Sequence, residues 1–253
     1  MFAQERHSVI LDLLERQGSV RVANLAEHLR VTEETVRRDL ERLGSDGKLR
    51  RTHGGALALD GGPRELPFAL RNATQQAEKD AIARAAAAHV QDGEVIAIDG
   101  SSTAFALARA LPDLAITVIT TSLPVMMALA ERTRIRVVGA GGTLDRTSMS
   151  FSGVQTAQAF EQYNIHRLFL SCTGIDFERG LSETAEALAE VKSRLIARAD
   201  RTYLLADHTK FGVRGAVAFA RADQIDVLVT DQAADALQIE RIAAAGPQVI
   251  RAT

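Results

Sequence analysis

From residue 95 onward, short apolar runs alternate with stretches of helical periodicity, and this alternation is the strongest constraint on the fold. The runs Val95–Asp99, Ile116–Thr121, Ile135–Gly139, Leu168–Cys172, Tyr203–Ala206 and Val227–Thr230 have the length and apolar character of buried strands. Helices are expected between and around them, near Gln76–Val90, Ser102–Ala110, Leu123–Ala130, Ala185–Ala199 and Ala233–Ala244. Strands separated by helices pair in parallel through crossovers, so this part of the chain predicts a doubly wound α/β domain. The 253 residues are comfortable for two domains. Ala58 to Asn72 contains Asp60-Gly-Gly-Pro-Arg and Leu66-Pro67, a turn-rich break in the periodicity. The predicted division is a first domain over 1–57, a linker over 58–75 and the α/β domain over 76–253.

The first domain reads as three short helices followed by a hairpin. Val9, Ile10, Leu13 and Leu14 recur at helical spacing up to a stop at Gly18. A second helix runs from about Val22 to Leu29 and buries Leu25, Ala26 and Leu29. Thr32 is placed to cap a third, whose first turn carries Glu33 and Glu34 and whose apolar stripe is Val36, Leu40 and Leu43. Glu34, Thr35, Arg38, Glu41 and Arg42 point away from that stripe, with Arg37 on its flank. After Gly44-Ser-Asp-Gly47, the segment Lys48 to Leu59 folds back as a basic hairpin. Three helices and a hairpin make a winged helix-turn-helix. Such a recognition helix enters the major groove of DNA, where each base pair presents a distinct donor and acceptor pattern. Pairs such as Glu33 with Arg37 and Glu34 with Arg38 would stabilise any exposed helix. What favours DNA is their position between a helix-turn and a basic wing. Thr32, Glu34, Thr35, Arg37 and Arg38 are the candidate base-reading or flanking residues, and Arg50, Arg51 and His53 the candidate phosphate contacts.

Global charge gives no help to this reading. The net charge is −2, and residues 1–57 carry ten cations against nine anions. The excess is local: Arg37 to His53 holds six cations and three anions, as a phosphate-contacting surface requires. Cys172 is the one cysteine, which excludes an intrachain disulfide and a cysteine-based zinc site and suits a reducing cytosol. No apolar run approaches the roughly 18 residues of a membrane span, and the first residues lack the order of a secretion signal. The expectation is a cytoplasmic protein with no membrane partner, no metal and no cofactor.

Ligands of doubly wound sheets bind outside the carboxyl ends of the strands. Asp99-Gly-Ser-Ser-Thr103 leads from a strand into a helix there, and helix-start N–H groups with small hydroxyls suit a phosphate. Ordinary capping by one of these residues is the competing explanation. The chain has no Walker loop, and Gly139-Ala-Gly-Gly142 lacks the third glycine of a dinucleotide fingerprint, so a nucleotide is disfavoured. Lys192 stands near the centre of the arc formed by Ala185, Leu188, Ala189, Leu195, Ile196 and Ala199, so it must snorkel or meet an anion. Glu186 and Glu190 fall on the opposite side of that helix.

Two segments carry a family resemblance: Val31-Thr-Glu-Glu-Thr-Val-Arg-Arg-Asp-Leu, and Gly47-Lys-Leu-Arg-Arg-Thr-His-Gly-Gly-Ala. Together they resemble the signature of DeoR-type bacterial transcriptional regulators. Asp99-Gly-Ser-Ser-Thr, Thr120-Thr-Ser122-Leu-Pro, Gly141-Gly142-Thr-Leu, Gly174-Ile-Asp176 with Gly180-Leu-Ser, Glu190-Val-Lys192 and Leu205-Ala-Asp-His-Thr-Lys210-Phe-Gly follow in the family's order. The resemblance implies a regulator, usually a repressor, of a sugar-catabolism operon. It implies two partners, double-stranded operator DNA and a phosphorylated sugar effector, and a homo-oligomer, dimer or tetramer. The implied effector residues are Asp99, Ser101, Ser102, Thr103, Ser122, Gly142, Asp176, Lys192 and Lys210. Ser101 stands where the family's loop has glycine, and Thr121 where it has asparagine.

The sensor domain of that family is similar to ribose-5-phosphate isomerase, so an isomerase-like enzyme with an accessory DNA module is one alternative. Asp176 would then be the base and Lys192 would polarise the oxygen. A DNA-binding architectural protein with a ligand-free α/β domain is another. The expected reading is a regulator without catalytic residues, in which Cys172 and His208 are structural or line the pocket.

Overall fold

The computed structural model describes residues 3–17, 19–52, 54–58 and 65–253, in two compact units, Met1–Leu66 and Pro67–Thr253. The predicted helix stop at Gly18 and the candidate His53 lie outside the described residues.

The first unit contains α1 (Ala3–Gln17), β1 (Ser19–Arg21), α2 (Val22–Leu29), α3 (Glu33–Ser45), β2 (Leu49–Thr52) and β3 (Gly55–Ala58). Its core is built from Ile10 and Leu14 of α1, Leu25 and Leu29 of α2, and Val36, Leu40 and Leu43 of α3. Val36 and Leu40 are fully buried, each worth about 1.5–3 kcal/mol by transfer from water. Arg30 ends α2 in a left-handed conformation, its N–H donating to Ala26 O and Glu27 O. The hairpin of β2 and β3 is joined by β1, giving the antiparallel order β1-β3-β2. So short a strand as β1 leaves no periodicity to read, but its pairing with β3 explains Gly55. A Cβ there would come within 1.8 Å of Val20 O.

The second unit is built on a seven-stranded sheet. Its strands are β4 (Val95–Ile98), β5 (Ile116–Thr120), β6 (Ile135–Gly139), β9 (Arg167–Leu170), β12 (Thr202–Leu205), β14 (Val227–Thr230) and β15 (Gln248–Arg251). The order is β15-β14-β12-β9-β4-β5-β6, with every pair parallel. Side chains alternate between two cores. Ile96, Ile98, Val118, Phe169, Tyr203, Leu205, Val227 and Val229 pack on one face with α5 (Gln76–Ala87), α6 (Ser102–Ala110) and α7 (Leu123–Leu129). Ala97, Ile119, Leu168, Leu170, Leu204 and Leu228 pack on the other with α8 (Val154–Glu161), α9 (Glu186–Ile196) and α10 (Ala236–Ala244). Burial on both faces is why these strands read as continuous apolar runs.

The predicted strands and helices are all present, within a few residues at their ends. Further elements surround them. A hairpin of β7 (Thr143–Asp145) and β8 (Ser150–Ser152) and a small antiparallel sheet of β10 (Gly174–Asp176), β11 (Gly180–Glu183) and β13 (Val217–Ala220) sit outside the main sheet. A further helix, α4 (Phe68–Ala73), falls within the stretch expected to be linker and packs with the second unit: the Phe68 N–H donates to Thr147 O at 2.8 Å and its ring meets Phe105 edge-on. The chain enters the sheet at β4, proceeds outward to β6, then returns to the other side of β4 at β9. The strand order therefore reverses between β4 and β9, the switch point at which sheets of this kind form a ligand crevice beyond the carboxyl ends of the strands. No helix among the described residues is long and apolar enough to cross a membrane.

Candidate functional site

In the first unit the exposed face of α3 is organised by its cap. Thr32 Oγ1 accepts the Thr35 N–H at 3.3 Å and lies 2.9 Å from Thr35 Oγ1, so Thr32 is committed to starting the helix. Beyond it, Glu34, Arg37 and Arg38 are exposed and paired among themselves. Arg37 bonds Glu33 at 2.6 Å, and Arg38 approaches Glu34 at 3.3 Å. With side chains half or more in solvent, such pairs are worth a few tenths of a kcal/mol. They hold the arginines extended yet release them to a stronger anion at small cost. Arg50 and Arg51 are exposed neighbours on β2 and so project to opposite sides of the wing. Arg51 lies along α3, where its Cγ would touch a Cβ placed on Gly44.

One residue of α3 that sequence reasoning passed over is Asp39. It is buried, and its carboxylate accepts Arg6 Nε at 2.7 Å, Arg6 Nη2 at 3.0 Å and His7 Nε2 at 2.9 Å. Burial opposes its ionisation, but the Arg6 and His7 hydrogen bonds prevail and hold its pKa below the ordinary carboxylate value. The clamp ties the recognition helix to α1. Its sequence signal was an acid on the flank of the apolar stripe, where solvent alone cannot satisfy it.

In the second unit the crevice gathers Asp99, Ser101, Ser102 and Thr103 at the start of α6, with Ser122 at the start of α7. Asp99 bridges the point where the strand order reverses. Its Oδ1 accepts the Ser101 N–H at 3.0 Å and the Ser101 hydroxyl at 2.6 Å, and its Oδ2 accepts the Ser171 N–H at 3.1 Å. Lys192 Nζ lies 3.1 Å from the same Oδ2, donates to Ser171 O at 2.8 Å and bonds Glu183. Burial disfavours the ammonium, and Glu183 and Asp99 override it, raising the Lys192 pKa. The anion that Lys192 requires is therefore internal. Its three N–H donors meet three acceptors, none of them on its own helix. Glu183 is completed by the Thr173 hydroxyl at 2.9 Å. This closed network ties β4, β9, β11 and α9 together.

The candidate hydroxyls divide into two groups. Ser101 Oγ accepts the Ala104 N–H at 3.1 Å and Ser122 Oγ accepts the Val125 N–H at 3.3 Å; both are helix caps. Ser102 and Thr103 are also buried, but neither their hydroxyls nor their N–H groups find a partner among the described residues. These donors remain available to a ligand. Gly142 has a backbone reason of its own. It has φ +131, and a Cβ would come within 2.5 Å of Ser152 O.

Asp176 stands apart from this cluster, on β10 of the small sheet. It accepts the Glu178 and Arg179 N–H groups at 3.0 and 2.8 Å and Arg214 Nε at 2.5 Å. Arg214 first, then the turn amides, keep its pKa low. His208 is fixed by Asp231, which accepts its N–H at 2.7 Å and faces its ring Nδ1 at 3.1 Å. His166 Nδ1 accepts the Val95 N–H at 3.0 Å. Cys172 is buried, and its thiol is pushed up to about 12 by burial, with Glu183 adding. No cluster of three or more metal-ligating side chains occurs among the described residues.

Lys210 lies in a single helical turn, His208–Lys210, after β12 and makes no ion pair among the described residues. Near it is a lysine that the sequence did not single out. Lys79, in the first turn of α5, is 5% exposed. It donates to Thr74 O at 2.6 Å and to the Arg71 carbonyl, leaving one N–H unused. Burial above all pushes its pKa down to about 8; Lys210 and Arg71 add to this and Asp207 opposes it. Two ammonium groups thus repel each other, with the Asp207 and Glu78 carboxylates opposing that repulsion.

Family models match both units: a DeoR-like helix-turn-helix domain over residues 6–61 and a DeoR C-terminal sensor domain over residues 74–232. An uncharacterized HTH-type transcriptional regulator, YulB, of Bacillus subtilis strain 168 is 38% identical over 242 residues, 96% of this chain and 94% of that protein. The L-fucose operon activator of Escherichia coli strain K12 is 36% identical over 232 residues, 90% of this chain and 94% of that protein. Among solved structures, ribose 5-phosphate isomerase A of Methanocaldococcus jannaschii is similar over 55% of both chains, with 19% identity and a TM-score of 0.41. With both domain models matched in order and curated relatives aligned along nearly the whole length, the chain belongs to the DeoR family of transcriptional regulators.

Proposed function

We propose that this regulator reads an operator through α3 and the wing and changes its hold when a phosphorylated sugar occupies the crevice at the start of α6. Glu34, Thr35, Arg37 and Arg38 meet or flank base edges, and Arg50 and Arg51 meet phosphates on opposite sides of the wing. The single observation that carries the ligand assignment is the set of unused donors at the start of α6. Ser102 and Thr103 are buried residues whose hydroxyls and N–H groups bond no group among the described residues, so at a helix start they can donate to an incoming acceptor. Lys210 and Lys79 supply the positive field for that acceptor to be an anion.

Asp99, Lys192 and Glu183 then serve as the frame that sets the loop, and Ser101 and Ser122 as its caps, rather than as direct phosphate ligands. Binding without turnover is supported by Asp176. A carboxylate held as the anion by Arg214 and two turn amides is a poor base toward a carbon-bound proton. A homo-oligomer would match repeated half-sites with paired reading heads. The test is a thermal-shift screen of pentose and hexose phosphates beside the unphosphorylated sugars. Stabilisation by a phosphorylated member, absent for its parent sugar and lost in Ser102→Ala/Thr103→Val, is the expected result. No shift from any member refutes the ligand assignment.

A further inference from the structure

The joint between α4 and α5 is fastened by a buried cation at the edge of the crevice. Gln75 turns the chain there with φ +48, a conformation unfavourable to a residue with a Cβ, and α5 has no side-chain cap. The carbonyls of Arg71 and Thr74 on the α4 side both accept from Lys79. No residue of α4 is buried; the Phe68 N–H on Thr147 O and the Phe68 ring against Phe105 also anchor it. Lys79 also feels Lys210 and Asp207, which follow β12. Because α5 leads into the amino end of β4, its first turn stands at the carboxyl end of the sheet, where α6 begins.

We propose that Lys79 is the residue through which the crevice controls the segment leading to the DNA-reading unit. Without effector its ammonium closes the α4–α5 joint. An anion seated on Ser102 and Thr103 offers Lys79 a charged acceptor, a stronger partner than a neutral carbonyl, and draws it off Arg71 O and Thr74 O. The strained joint then opens and α4 loosens. Because α4 begins two residues after Leu66, the last residue of the first unit, its loosening changes how that unit is tethered. This inference rests on the anion-binding reading of the α6 start given above.

Hydrogen exchange on the full-length protein tests it, with inorganic phosphate as the probe and chloride at matched ionic strength as the control. The expected result has two parts. Phosphate slows exchange of the Ser102 and Thr103 amides and speeds exchange of the Phe68, Leu70 and Arg71 amides. In Lys79→Met the α4 amides exchange about tenfold faster without phosphate, as loss of a charge-assisted bond implies, and phosphate no longer changes them. Protection at α6 with unchanged α4 exchange in the wild-type protein overturns the coupling and leaves the anion site standing. A phosphate response of α4 that persists in Lys79→Met also overturns it. No protection at α6 overturns the anion site and the coupling with it. The wild-type measurement decides the matter even if the variant folds poorly.

Discussion

The exposed face of α3 and the crevice above β4 both carry paired charges, and they use them in opposite ways. On α3, Arg37 and Arg38 lie against Glu33 and Glu34 in solvent, where the pairs are weak and interchangeable. In the crevice, Lys192 is shared among Asp99, Glu183 and Ser171 with almost no solvent contact, and breaking such a network strands an ion. Exchangeable pairs suit a surface that must trade its partners for DNA. A saturated network suits a frame that must not move. Lys79 stands between these extremes: buried like Lys192, but bonded to neutral carbonyls and so open to an incoming anion.

The largest effect expected from this contrast is at Lys192. Lys192→Met keeps the aliphatic stem but leaves two carboxylates uncompensated, and should cost about 3–5 kcal/mol in urea unfolding of the second unit. A loss below about 1 kcal/mol would place Lys192 with the interchangeable pairs. Next is Asp39, the one acid of α3 that behaves like the crevice. Asp39→Asn should cost about 1.5–3 kcal/mol of stability in the first unit. Since the folded pKa of Asp39 is depressed, its contribution is present above the unfolded value near 4 and is lost as pH falls through the folded value. The acid sensitivity of this unit should therefore diminish in the variant.

Arg38→Ala should behave oppositely. Stability stays within about 0.5 kcal/mol, while affinity falls about tenfold for the operator and less for random duplex. An equal fall on both would make Arg38 a phosphate contact. Arg50→Ala should weaken both DNAs alike and reduce the salt slope by about one. The smallest effect is a pH dependence in the crevice. Lys79, with a pKa pushed down to about 8, loses its charge as pH rises through that value, so sugar-phosphate affinity should decline there. The charged groups that face it are Asp207, Lys210, Arg71 and Glu78. Lys79→Met should flatten the decline, measured by calorimetric titration.

Much of this architecture was legible in the chain because burial writes itself into periodicity. The apolar stripe of Val36, Leu40 and Leu43 located α3, and two-sided burial marked strands such as Val227–Thr230. Edge and accessory elements left weaker traces. β15 has only Val249 and Ile250 as apolar residues and is half exposed. α4 is short, without buried residues, and follows Leu66-Pro67, which reads as a turn. The site was legible as a location but not as a set of roles. A helical wheel shows that Lys192 needs an anion, yet its partners come from β11 and the end of β4, which only the fold brings near. Lys79 sits among Gln76, Glu78 and Asp80 in a first turn that reads as solvated. Its burial goes with the Arg71 and Thr74 carbonyls that accept from it, and no local pattern reports that.

The most direct test of the account is the affinity of the full-length protein for operator DNA, selected from a random-sequence pool, titrated with each sugar phosphate and its unphosphorylated parent. One phosphorylated sugar should shift operator affinity by about 5- to 150-fold, the usual range of allosteric coupling. Its parent sugar should have no effect, and the shift should vanish in Ser102→Ala/Thr103→Val. An operator affinity indifferent to every phosphorylated sugar, or equally responsive to a sugar and its phosphate, would contradict it.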